Sequence, residues 1–191
     1  MEDLHESGQV LFIAIATGQA AANLPPILEM AHPDDQVLWL ESDAARRGKW
    51  VDGPRTVLAG RRIHSRDPVS VTDEPAGVAA AVLQCLAECR ECRPVFVHNG
   101  GTKLASLILD RASGTTPRPI LYGLERPAEL WIFPAGIDGP LEKRAYTRAR
   151  LSLPEVLRCS GHAIRNLRSD RPAGFGRNRT ISTPTVTRSI P

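Results

Sequence analysis

Several things are missing from this chain of 191 residues, and each absence excludes something. No run of eighteen apolar residues occurs, so no segment reads as a membrane span and no membrane partner is expected. Met1 to Gln9 is polar and acidic and lacks the apolar core of a signal peptide, which makes the cytoplasm the expected compartment. No Gly-x-x-x-x-Gly-Lys-Ser/Thr is present and no Gly-x-Gly-x-x-Gly follows an expected strand, so neither a Walker loop nor a dinucleotide fingerprint is available. Aromatic residues amount to 5%. Acids almost vanish after Lys143, where arginine takes over, and Asp170 is the last of them. The formal charge of +3 is too small to argue for nucleic acid. Among the late arginines there is almost no aromatic residue on which a single strand would stack, so they read as a solvated basic tail and nucleic acid is not an expected partner.

What is present reads as one α/β domain with tails. Hydrophobic content is an ordinary 42%, enough for one good core. Val10 to Ala16 is a compact apolar run, expected to be a buried first strand that ends at Thr17-Gly18-Gln19. A helix through Ile27, Leu28 and Met30 follows, with Asn23 as its N-cap and Pro25 and Pro26 in its first turn. Residues 36–41 read as the second strand, closed by Ser42, with a helix over 44–50. Residues 51–73 carry the weakest pattern; one short strand is expected near Val69 to Thr72. Glu74 to Arg90 has helical period in Ala and Leu, and Arg118–Leu124 with Glu129–Phe133 reads as an edge hairpin turned at Arg126-Pro127. The alternation of strand and helix predicts a Rossmann-like three-layer sandwich on a mostly parallel sheet, spanning 10–137. A polar tail (1–9) precedes it, and a short helical connector (138–165) and a mobile basic tail (166–191) follow it.

Val95-Phe96-Val97-His98-Asn99-Gly100-Gly101-Thr102-Lys103 is the richest stretch. A β-branched and aromatic run enters a Gly-Gly corner, and Thr102 then caps a helix whose apolar positions are Leu104, Leu107 and Ile108. Such a corner aims backbone N–H groups at the start of a helix, where the dipole also favours an anion, and Lys103 adds a mobile positive charge. It therefore reads as a phosphate cradle. A plain strand-to-helix turn with positive φ at one glycine accounts for the same residues.

The run Asn23-Leu24-Pro25-Pro26-Ile27-Leu28, Pro33-Asp34 before the strand closed by Ser42, and Asn99-Gly100-Gly101-Thr102-Lys103 together resemble the CARF family, CRISPR-associated Rossmann-fold sensors. The likeness is closest to those joined to a restriction-like nuclease, and Leu151-Ser152-Leu153-Pro154-Glu155 through Gly161 resembles their connector. His98-Asn99 stands where that group has its usual pair before the glycines. The resemblance implies a cytoplasmic homodimer that binds a cyclic oligoadenylate, cyclic tetra-adenylate foremost, in type III CRISPR antiviral defence. Carried over by position, Asn99, Gly100, Gly101, Thr102 and Lys103 would hold phosphate and ribose, with Thr17, Gly18 and Gln19 after the first strand and Ser42 after the second. About thirty residues follow the connector and offer no acidic metal-binding cluster, so the expectation is a sensor without its nuclease, acting through a separate effector protein or as a buffer of the messenger.

Other constellations carry alternatives. His98 and Lys103 would be the catalytic pair of a metal-independent ring nuclease; His98 equally reads as a packed strand-end residue. A generic Rossmann-like nucleotide- or DNA-binding regulator is the third reading. Cys89-x-x-Cys92 and Cys159-x-x-His162 imitate zinc spacing, yet Cys85 and Cys89 fall into the apolar period of their helix and read as core thiols, so no metal or cofactor is expected. Trp39, Trp50 and Trp131 lie far apart and read as core or interface residues.

Overall fold

The structure, a computed structural model, describes residues 4–5, 8–72, 74–89, 91–112, 118–135 and 141–160. Strand β1 (Val10–Ile15) is buried along its whole length, as a central parallel strand covered on both faces must be. β2 (Gln36–Glu41) pairs with it in parallel from Leu11↔Gln36 to Ile15↔Leu40. On its other side β5 (Arg93–Val97) pairs from Val10↔Arg93 to Ala14↔Val97. Two short strands, β3 (His64–Ser65) and β4 (Val69–Ser70), both join β2 in parallel. Beyond β5 lie β6 (Ile120–Leu124), parallel, then β7 (Glu129–Phe133) and β8 (Glu142–Ala145), each antiparallel to its neighbour. The order is β3-β2-β1-β5-β6-β7-β8, with β4 also on β2.

Alternate residues of β1 divide between two cores. Val10, Phe12 and Ala14 pack with α1 (Leu24–Met30), α2 (Asp43–Gly48), α3 (Asp52–Ala59) and α6 (Leu153–Cys159). Leu11, Ile13 and Ile15 pack with α4 (Pro75–Glu88) and α5 (Lys103–Ala112) on the other face. The result is the Rossmann-like three-layer sandwich, mostly parallel with an antiparallel edge, that the alternation of elements implies.

Several details differ from the sequence reading. Helix α3 and strand β3 occupy the weakly patterned 51–73 stretch; two polar residues make a strand only because β2 offers them a ladder. Strand β8 falls inside the span expected to be a helical connector: Glu-Lys-Arg-Ala carries no apolar alternation and sits on an exposed edge. Asn23 takes the N-cap position of α1 as expected, but its side chain makes no capping bond. The residue lies in a 3-10 turn (Ala20–Asn23) with helical φ and ψ, and its amide instead donates to the Ile15 carbonyl at 2.8 Å. Leu104 and Leu107 are not core residues. Helix α5 buries Leu109 and leans Ala105 and Ile108 on the sheet, leaving Leu104 and Leu107 55% and 61% exposed. The expected basic tail, 166–191, lies outside the described residues.

Candidate functional site

The three segments expected to bind ligand each sit at the carboxyl end of a central strand. Thr17–Gln19 follows β1, Ser42 follows β2, and His98–Lys103 joins β5 to α5. That is where an open α/β sheet leaves a crevice. The structure places them around three cavities. One of about 470 Å3 brings together Thr17, Gly18, Ser42, Gly101 and Thr102, with Trp50 in its wall. A second, about 770 Å3, is lined by His98, Asn99, Gly100, Gly101 and Lys103. A third, about 650 Å3, meets Gly18, Gln19 and Asn99 and reaches the connector at Tyr146 and Leu151. Gly101 is shared by the first two.

The corner is built by two glycines for different reasons. Gly101 has φ +82°, the left-handed region that favours glycine. Gly100 is buried with no room for a side chain: a Cβ there would lie 2.6 Å from the Ile15 carbonyl oxygen and within 3.0 Å of the Asn23 carboxamide. Thr102 caps α5, its Oγ1 accepting from Ala105 N at 3.2 Å and its carbonyl from Ser106 N at 3.1 Å. The N–H groups of Gly101, Thr102 and Lys103 find no acceptor among the described residues. They surround the helix start, with the exposed Lys103 beside them. Ser42 caps α2 in the same manner, accepting from Ala45 N at 3.3 Å. Asn99 is a brace: Nδ2 donates to the Gly123 carbonyl and Oδ1 accepts from Gly123 N, both at 2.7 Å, locking the corner to β6.

His98 is half-buried in the wall of the 770 Å3 cavity, and its Nε2 has no partner among the described residues. Burial holds its pKa below the ordinary histidine value, against the opposing pull of the Asp110 carboxylate. The unfolded chain therefore binds a proton before the folded one does. Stability is expected to fall as pH drops through the ordinary histidine range and then level off below the folded pKa. Chemical denaturation between pH 8 and 5 should show this slope, and His98→Asn should flatten it; an unchanged slope in the variant would contradict the assignment.

Sequence reasoning missed the residue that ties this end of the molecule together. Glu29, at the end of α1, is 5% exposed. Its Oε2 accepts from the N–H groups of Thr147 (2.9 Å), Arg148 (2.6 Å) and Ala149 (3.0 Å), and its Oε1 from the Thr147 hydroxyl (2.7 Å). Burial opposes the charge, but these four donors outweigh it and hold the carboxyl below its ordinary pKa. No local pattern announces the clasp, because its two halves lie 118–120 residues apart. The connector is thereby pinned to the helix that follows the Thr17–Gln19 loop. Arg61 reinforces it, 3.0 Å from Glu155 and bonded to the Arg150 carbonyl at 2.9 Å.

The cysteines do not assemble a centre. Cys85 and Cys89 pack in the core beneath α4, while Cys159 packs on the opposite face of the sheet. His162 lies outside the described residues. Burial pushes the Cys85 and Cys159 thiols up to about 11. Among the described residues no group of three His, Cys, Asp or Glu is placed to hold a metal ion.

Fold and site together define a Rossmann-like α/β domain whose cavities gather at the carboxyl ends of its central strands. No protein-family model and no curated protein matches the chain. Among solved structures it is similar to Can2 from Sulfobacillus thermosulfidooxidans, determined in complex with cyclic tetra-adenylate, with a TM-score of 0.68 and 17% identity over 83% of this chain and 43% of that one. It is also similar to protein VC1899 from Vibrio cholerae, with a TM-score of 0.64 and 13% identity over 78% of this chain and 39% of that one. A third likeness is to a type III CRISPR defence DNA nuclease activated by cyclic oligoadenylate (TM-score 0.53, 15% identity, 79% of this chain and 23% of that one). The chain thus spans less than half of each of these three structures. At these identities the likeness establishes the fold.

Proposed function

We propose that this chain is a CARF-like sensor module that binds a cyclic oligoadenylate in type III CRISPR antiviral defence, working as a cytoplasmic homodimer alongside a separate effector protein. The observation that carries the reading is the corner itself: N–H groups of Gly101, Thr102 and Lys103 that find no acceptor among the described residues, at a helix start flanked by two cavities. Two of the structures named above are of proteins whose stated ligand or activator is of this class, which supports the same chemistry here. A ring of phosphates with near two-fold symmetry suits a pair of identical corners better than one. Leu83, Leu104 and Leu107, each more than half exposed on α4 and α5, give a second copy an apolar surface to cover.

Lys103→Ala tests the cradle. The side chain is exposed and belongs to neither core, so the fold is expected to persist. Calorimetric titration with cyclic tetra-adenylate should show affinity roughly tenfold lower, about 1.4 kcal/mol, and a weaker salt dependence. Unchanged affinity would move the anion elsewhere.

One observation favours a second reading. His98 Nε2 has no partner among the described residues and lines the same cavity as Lys103, the arrangement a metal-independent attack by a ribose 2′-hydroxyl would use. Incubation of cyclic tetra-adenylate with the protein, followed by chromatography, separates the two: intact ring supports the sensor, and linear fragments that disappear with His98→Ala support the ring nuclease.

A further inference from the structure

The edge of the sheet holds a surface that the reading above does not use. Directly opposed residues of antiparallel strands point to the same face. The pairs Ile120↔Phe133, Tyr122↔Trp131 and Trp131↔Lys143 therefore put three aromatic rings and an ammonium on one side of β6, β7 and β8. The other side, with Leu121, Leu130 and Ile132, is buried in the core. Helices α4 and α5 cover the aromatic side only as far as Ile120. Past that point Tyr122 and Phe133 remain 40% and 37% exposed. In a chain with 5% aromatic residues, three in one patch is a concentration.

The patch is not a flat edge. It forms the floor of the 770 Å3 cavity, with Leu107 and Ser106 of α5 as the facing wall and the His98–Gly101 corner with Lys103 at its end. The space is of the size that holds a nucleotide-sized ligand. Lys143 Nζ lies 4.2 Å over the Trp131 ring, and Trp131 Nε1 donates to Glu129 at 3.2 Å, which fixes that ring as a rigid backstop. Phe133 stands 6.5 Å from it, tilted by 52°. A phosphate-binding corner and an aromatic floor in one continuous cavity are complementary to the two parts of a nucleotide.

We propose that Tyr122 and Phe133 form a nucleobase subsite, stacking a purine of the ligand whose phosphate sits on the Gly101–Lys103 corner. The proposal rests on the nucleotide reading of that corner. Stacking on aromatic side chains accepts any base and grows with ring area, so the ledge supplies affinity and a preference for purine over pyrimidine.

The test uses the full chain with Tyr122→Ala, Phe133→Ala and Tyr122→Phe. Titrations with cyclic tetra-adenylate and cyclic tetra-uridylate are paired with sedimentation equilibrium. The expected result is roughly tenfold weaker binding of the adenylate ring to each alanine variant, a smaller preference over the uridylate ring, and retention of wild-type affinity by Tyr122→Phe. The sedimenting mass should not change. If the alanine variants bind both rings as the wild type does, the ledge is not a base subsite, while the corner reading stands. If those variants lose self-association without a change in the adenylate preference, the face belongs to a second copy and the proposal fails. If the wild type binds neither ring, the corner reading itself falls and the subsite with it.

Discussion

Gly100→Ala is expected to cost about 1–3 kcal/mol of stability and more than tenfold in affinity for cyclic tetra-adenylate. The added carbon would meet the Ile15 carbonyl oxygen at 2.6 Å, below any ordinary van der Waals approach. It also meets Asn23, which is fully buried and already bonded to that same carbonyl. Neither neighbour has a free end that swings aside, since one is β1 backbone and the other is walled in. The corner itself must therefore shift, and with it the N–H groups of Gly101 to Lys103. Gly101→Ala meets a softer obstacle, the Ile15 side chain at 2.8 Å, and adds the strain of a side chain at φ +82°. Both variants should lose binding, but Gly100→Ala should lose more stability in a chemical melt. Equal stability of Gly100→Ala and wild type would contradict the packing described for the corner.

Glu29→Gln, in α1, should release the connector and strongly destabilise the fold. A carboxylate there receives four donors at 2.6–3.0 Å, whereas an amide keeps one acceptor oxygen and turns an NH2 toward N–H groups. Hydrogen bonds to a buried charge and donors left unsatisfied together cost about 2–3 kcal/mol. In a chain of this size that lowers Tm by roughly 4–10 °C. The pH dependence has a definite sign. The folded pKa lies below the unfolded one, so the stabilisation is present above the ordinary carboxylate range and is lost as pH falls through the folded value. Wild type should approach the glutamine variant in acid. A constant difference from pH 7 to pH 3, or none at all, would contradict the clasp. Burial beside Glu29 also raises the Tyr146 hydroxyl to about 12, so loss of the carboxylate should bring tyrosinate absorption to lower pH.

The contrast between these two sites shows which physics is local. The corner was legible because its parts are adjacent in the chain. Apolar Val95–Val97, two glycines and a capping threonine report strand, turn and helix start within nine residues. Ser42 was legible for the same reason, and so was the hairpin, whose two arms are joined by a short turn at Arg126-Pro127. Strands β3 and β8 were not, because runs of two to four mostly polar residues gain strand geometry only from a neighbour already in place, whereas β4 falls where the short strand near Val69 was expected. Helical period picked out Leu104 and Leu107 as apolar positions of α5 without saying how much of that stripe the sheet covers. Asn23 reads as an N-cap in sequence, and its turn to the Ile15 carbonyl depends on where β1 ends beside it. Asp35 shows the same limit: 2% exposed, it accepts from Val10 N at 2.9 Å and His32 N at 2.8 Å, tying β2 to the start of β1. The cavities themselves, where Thr17, Ser42 and Gly101 meet, exist only in the assembled sheet.

The most direct measurement is the stoichiometry of binding. Calorimetric titration of the purified chain with cyclic tetra-adenylate, with sedimentation of the mixture, should give one ring per two chains and a complex of twice the protomer mass. No heat and no mass change with this ring, or one ring on each isolated chain, would contradict a paired anion cradle at the end of β5.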